Sequence, residues 1–197
     1  MAAAPAYVAK GADISVCGNY RYRLWREWRL HPALAQWDMW ADEAGKPVVD
    51  GAGEQLGEPK ACVFVMLNPS TADGEEDDPT IRRCVAFAKA WGYDRLEVLN
   101  LFAYRATDPQ ALLALNHNDD PVGVHNSRAF NQVLVYGHPV GTIICAWGVH
   151  GAHLGQDETA LGWMEDRPRY ALGLTRDGHP KHPLYLRADA QPARFRP

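Results

Sequence analysis

Three side chains able to take part in chemistry stand where apolar runs are interrupted. Asn68 ends the run in VFVMLNPSTAD, Asn100 lies inside RLEVLNL, and His182 lies in HPKHPLYL. An amide offers a donor and an acceptor without carrying charge, and an imidazole changes protonation near neutral pH. Further polar residues cluster with them in sequence: Pro69, Ser70 and Thr71 after Asn68, Tyr104 and Arg105 after Asn100, and His179 before His182. Trp147-Gly148 ends a third apolar run. Asp78, Pro79 and Thr80 have the pattern of a helix start, with Arg82 one turn on. A helix start offers free N–H groups and a positive end to an anion. Each feature also has an ordinary structural reading. Asn-Pro opens turns, a buried amide can brace a loop, loop histidines are commonly exposed, and acids favour helix N-termini whatever their function.

The elements that would position these groups alternate. Cys62–Leu67, Arg95–Leu101, Thr142–Gly148 and Arg169–Thr175 are short apolar runs, expected as strands covered on both faces. Between them, DDPTIRRCVAFAKAWG predicts a helix with Ile81, Cys84, Val85 and Ala88 on one stripe, capped by Asp78 and closed by Gly92. Helices are also expected over PQALLAL, Val124–Tyr136 and Gly151–Met164. Cys17–Trp28 alternates apolar residues with arginines, the pattern of a strand with one wet face. The predicted class is α/β: three αβα layers around a mainly parallel sheet of about four strands, with an N-terminal strand or hairpin. In such sheets ligands sit beyond the carboxyl ends of the strands, where the polar groups here would gather. The chain is expected as a single domain over 1–197, with 1–16 flexible, 42–60 a surface insertion and 187–197 a tail.

Bulk properties narrow the classes. The 197 residues carry a net charge of −4 and are 47 % hydrophobic. No apolar run reaches the roughly 20 residues of a membrane span, so no membrane association is expected. MAAAPAYVAKG lacks the layout of a secretory signal. The four cysteines are far apart, without CxxC spacing, which fits core thiols in a reducing cytoplasm. No metal and no cofactor are expected, because metal-ligand spacing and the GxGxxG and GxxxxGK[ST] phosphate loops are absent. Acids crowd positions 37–78, eleven against two lysines, while 164–197 holds seven basic residues against four acids. An acidic chain is a poor non-specific DNA binder.

VMLNPSTAD, DPTIRRC, LEVLNLFAYRATDP, IICAWG and HPKHPLYL, in that order, resemble a bacterial and phage family known as a domain of unknown function, over about Tyr20 to Leu186. The motif order more distantly resembles the uracil-DNA glycosylase superfamily. That resemblance implies a glycosylase-like fold and a role for each matching position. Asn68-Pro69 would position the attacking water and Asn100 would read a base edge. Trp147-Gly148 would end the third strand. His182-Pro183-Leu184 would form a closing loop with its histidine near the base carbonyl, and His179 remains an alternative to His182. Asn68 stands where many members have Asp, and an amide cannot take a proton.

Three functions are compatible with these residues. One is hydrolysis of an N-glycosidic bond to a nucleobase in nucleic acid, with Asn68 and His182 catalytic. A second is an enzyme or binder for a small nucleotide or nucleoside. A third is a non-enzymatic regulator on the same scaffold. The expected partner is a nucleobase, nucleotide or nucleic acid; oligomeric state is not legible.

Overall fold

The computed structural model describes residues 7–28 and 60–197. The insertion expected over 42–60 therefore lies outside the described residues except for Lys60. Within the described residues the chain is a mixed α/β fold with one seven-stranded sheet. The strands are β1 (Ala9–Ile14), β2 (Arg21–Glu27), β3 (Ala61–Met66), β4 (Arg95–Asn100), β5 (Val140–Cys145), β6 (Arg169–Ala171) and β7 (Ala193–Arg194). Their order across the sheet is β1-β2-β4-β3-β5-β6-β7. The centre, β4-β3-β5-β6, is parallel, and the flanking pairs are antiparallel.

β3 is buried at every position, as its unbroken apolar sequence requires. Its alternate side chains enter two different cores. Val63 and Val65 join one core with Phe130 of α3 (Asn126–Leu134) and Ala160 of α4 (Gln156–Trp163). Cys62, Phe64 and Met66 join the other with Ile81, Cys84, Val85 and Ala88 of α1 (Pro79–Ala90). Period-two alternation thus sets helices on both faces of the sheet. A short α2 (Pro109–Leu113) starts on an Asp108 cap.

Several boundaries differ from the sequence-based expectation, each for a physical reason. The sheet has seven strands, because elements with weak apolar signals add to both edges. β1 has the unremarkable sequence AKGADI, and it pairs with β2 inside the segment expected to be flexible. β7 is two residues of the expected tail, held because Phe195 is buried and its N–H donates to Arg169 O at 2.8 Å. The arginines of β2 do not form a wet face. Arg26 is fully buried, and Arg23 is chelated by Glu97 at 2.9 and 2.7 Å. β6 stops at Ala171 rather than Thr175, where the chain turns back so that Leu174 bridges Pro180. The helix expected from Gly151 divides into a 3-10 segment (Val149–Gly155) and α4, because Leu154 and Gly155 take positive φ.

The parallel strands deliver their carboxyl ends to one rim. The chain leaves β3 toward α1 on one face and β5 toward α4 on the other. Between adjacent strands whose connections diverge, a crevice must open.

Candidate functional site

A cavity of about 640 Å³ occupies that crevice. This is within the size range of small-ligand sites. Of the residues singled out from the sequence, Asn68, Ser70, Asp78, Thr80, Trp147 and His182 line it. Asn68 follows β3 directly. The segments leaving β3 and β4 run side by side: Leu101 N–H donates to Met66 O at 2.8 Å, Phe102 N–H to Leu67 O at 2.9 Å and Ala106 N–H to Pro69 O at 3.0 Å. The Asn68 Nδ2 donates to Ala106 O at 2.8 Å and Pro69 O at 3.1 Å. Two carbonyl acceptors fix which amide atom is nitrogen and hold the side chain still. Oδ1, an acceptor, is the polar atom left over.

His182 caps a 3-10 turn (Pro183–Tyr185). Leu184 N–H donates to its Nδ1 at 3.4 Å, which places the proton of the neutral ring on Nε2. Burial holds His182 below the usual imidazole range, with the Asp78 carboxylate pulling the other way. The ring also rests against Tyr185, centroids 5.7 Å apart. The neutral form with an Nε2–H donor is therefore the favoured state at neutral pH.

An aromatic side chain after β5 also lines the cavity. Trp147 is buried at the end of β5 and meets Phe195 edge-on at 6.0 Å. Gly148 turns the chain with φ +76°, and its N–H donates to Pro180 O at 2.8 Å, tying the His182 loop to β5. Gly151 has no side chain for a reason: a Cβ there would come within 2.0 Å of the Trp147 ring. α1 presents its first turn to the same cavity. Asp78 Oδ1 accepts from Ile81 N–H at 2.8 Å, and Thr80 joins the lining. Pro79 at the first position removes one N–H that would otherwise need a partner.

The sequence reasoning missed Arg21. It lines the cavity although it is only 2 % exposed. Its Nη1 donates to Ala72 O at 2.7 Å and its Nη2 to Asn100 Oδ1 at 3.4 Å. Burial lowers its pKa to about 10, against the pull of Asp78, so it remains a cation at neutral pH. The alternating pattern of CGNYRYRLWREW marked it as one more solvent-facing arginine. A second signal existed in hindsight: Asn100, a polar interruption of a buried strand, needed a buried partner.

Other expected site residues lie elsewhere. Asn100 is 1 % exposed and sits behind the cavity wall, where its Oδ1 accepts from Arg21; it is not in the lining to read a base edge. Pro69 is buried and contributes its carbonyl to the Asn68 loop, while Thr71 faces outward. Arg82 bends back to Asp77 O. Arg83 donates to Leu186 O and lies over Phe87, so neither arginine lines the cavity. Tyr104 packs edge-on against Tyr20, and Arg105 donates to Gly18 O at 3.3 Å. His179 lies in the turn, its backbone N–H donating to Thr175 Oγ1 at 3.1 Å, and only His182 of the pair lines the cavity. The acidic loop does not present all its acids to the cavity: Asp77 pairs with Arg26 at 2.7 Å and Glu75 with Lys10 at 2.9 Å. The described residues contain no group of three or more His, Cys, Asp or Glu side chains arranged to hold a metal ion. No helix among them is long and apolar enough to cross a membrane.

Residues 53–184 match the family described as "Protein of unknown function (DUF1643)", and the chain belongs to that family. No curated protein and no solved structure matches the chain.

Proposed function

We propose that the cavity takes a nucleobase-bearing nucleoside or nucleotide and cleaves its N-glycosidic bond with water. One observation carries this reading. The lining combines an acceptor whose own donors are consumed, Asn68 Oδ1, with a neutral histidine whose free nitrogen is a donor, His182 Nε2. The resemblance of the motif order to the uracil-DNA glycosylase superfamily supports it as well.

In this reading the bond from C1′ to the base nitrogen breaks with its electron pair leaving on the base. Asn68 Oδ1 accepts a hydrogen bond from a water molecule and directs its oxygen to C1′. The water's surplus proton passes to solvent, because an amide cannot hold it. His182 Nε2–H faces the negative charge developing on the base, a donor fixed in place before the charge forms. The departing base is then protonated from solvent. The Trp147 ring supplies an apolar wall that excludes bulk water from the reacting bond.

A base carried in nucleic acid is a second substrate class for the same chemistry. The exposed Leu184 and Tyr185 at the cavity mouth favour it, since they offer apolar surface to a partner larger than the cavity. The test is incubation of the protein with the common nucleosides, their 5′-monophosphates and a base-modified oligonucleotide, with free base read by mass spectrometry. Release of base, lost in His182→Ala and Asn68→Ala, is the expected result. Ligand binding without base release from any of them would make this a binding protein and overturn the hydrolase reading.

A further inference from the structure

Among the described residues the sheet holds three buried arginines, Arg21, Arg26 and Arg95, and they are not equivalent. Arg26 pairs with Asp77 at 2.7 Å and also donates to the carbonyls of Gly11, Trp25, Asp73 and Glu76. Arg95 pairs with Glu27 at 2.6 Å and Glu97 at 2.7 Å. Arg21 has no carboxylate within ion-pair distance among the described residues; its partners are one carbonyl and one long amide contact. Its Nε is buried without a partner, and so is Nδ2 of the adjoining Asn100. A buried charge is ordinarily paired and fully hydrogen-bonded, because desolvating it is otherwise costly. Of the three, Arg21 is the one that lines the cavity.

A guanidinium carries five N–H donors in a planar fork. Two partners leave most of that fork unused. An excess of donors with no acceptor matches an oxyanion. The surroundings suit the same ligand: Thr80 on the first turn of α1 lies in the lining, where helix N–H groups favour negative charge, and Lys181 is at the rim. Asp78 is the opposing charge. One of its oxygens is occupied by Ile81 N–H, and two cations outweigh it in the lining.

We infer that Arg21 is the anchor for the terminal phosphate of a small nucleotide, held in its fork by Asn100 acting as a positioning residue. Accessibility selects a terminal phosphate over one within a polynucleotide backbone. A phosphodiester continues in both directions, and a side chain only 2 % exposed is reached only by the end of a ligand. This inference rests on the nucleobase-site reading for the identity of the ligand's other half, but the phosphate contact stands on Arg21 itself.

The test starts with the unmodified protein in calorimetry. The probes are orthophosphate, a nucleoside, its 5′-monophosphate, and an oligonucleotide carrying only internal diesters. The monophosphate should bind about 10-fold or more tightly than the nucleoside, the gain of hydrogen bonds to a charged group. Orthophosphate should compete with it, and the diester-only oligonucleotide should not. Arg21→Gln should abolish the preference, the monophosphate then binding no more tightly than the nucleoside. Asn100→Leu should reduce the preference, and Arg21→Lys should restore only part of it, because a point charge does not reproduce the fork. Equal affinities for nucleoside and monophosphate, or equal competition by the diester, would overturn the inference even if the variants failed to fold. Phosphate preference without release of base would leave Arg21 in its role and remove only the hydrolase reading. Base release without phosphate preference would do the reverse.

Discussion

At the scale of single residues, the site depends on which atoms are already committed. Asn68 illustrates this. Its Nδ2 holds two carbonyls, so aspartate at this position would set a carboxylate oxygen against both of them. Asn68→Asp should therefore be less stable than Asn68→Ala, by about 1–3 kcal/mol in urea unfolding. Restoring an acid should not raise turnover. His182 gives a pH prediction. Its folded-state pKa lies below the usual 6.5 because of burial, so on acidification the unfolded chain takes up the proton first. The stability it contributes is complete above the unfolded value and is lost as pH falls toward the folded one. His138, also lowered by burial, acts in the same direction. The comparison must therefore be between the parent protein and His182→Asn. Melting temperatures from about pH 8 to about pH 5 should fall less steeply in the variant. For turnover, His182→Ala should cost on the order of 100-fold or more while affinity changes little, since the donor acts on charge present only near the transition state.

At the scale of elements, the site is held by fastenings between loop and strand. The loop from Ala72 to Asp78 has little apolar sequence, yet it lies against the sheet because Arg26 reaches into it. That guanidinium binds Asp77, and Tyr7 donates to the same carboxylate at 2.5 Å. Arg26→Met should cost about 3 kcal/mol or more, because it leaves Asp77 partly buried without its cation. Arg26→Met with Asp77→Asn should recover part of the loss, and additive losses in denaturant melts would contradict the pairing. The start of α1 responds on a smaller scale. Asp78→Ala removes the cap on Ile81 N–H and should cost about 1 kcal/mol. Asn126 works differently, its Nδ2 donating to the carbonyls of Asn100 and Leu101 at 2.9 and 3.0 Å. It pins the start of α3 to the end of β4, beneath the amide that holds Arg21.

At the scale of the whole molecule, segments far apart in sequence share one core. Phe195, two positions before Pro197, packs in the same core as Val63 and Trp147. Phe195→Ala should cost about 3–5 kcal/mol in urea unfolding. It should also loosen Trp147, so ligand affinity should fall along with stability. A variant that loses stability with unchanged affinity would show that the Trp147 wall is held from within β5 alone.

The sequence by itself determined the central strands, the α1 start and the location of the rim. Cys62–Leu67 is apolar at every position, so a strand covered on both faces was its only economical packing, and Asp78-Pro79 satisfies helix-start geometry locally. Asn68 and Trp147 closely follow such runs, His182 lies in the loop beyond β6, and all three line the cavity. What only the tertiary structure decided was the partnering of polar groups. Nothing local distinguishes Arg21 from Arg23, two residues along the same strand. One is chelated by Glu97, and the other reaches Asn100, 79 residues away in sequence, at the cavity wall. An N-terminal strand or hairpin was expected, but the position of β1 within 1–16 and the existence of β7 were not legible, because edge strands are held by backbone hydrogen bonds to neighbours and need little apolar pattern of their own. Hydrophobic periodicity specifies which faces are buried. It does not specify which buried charge is left without a counter-ion, because that depends on contacts between segments far apart in the chain.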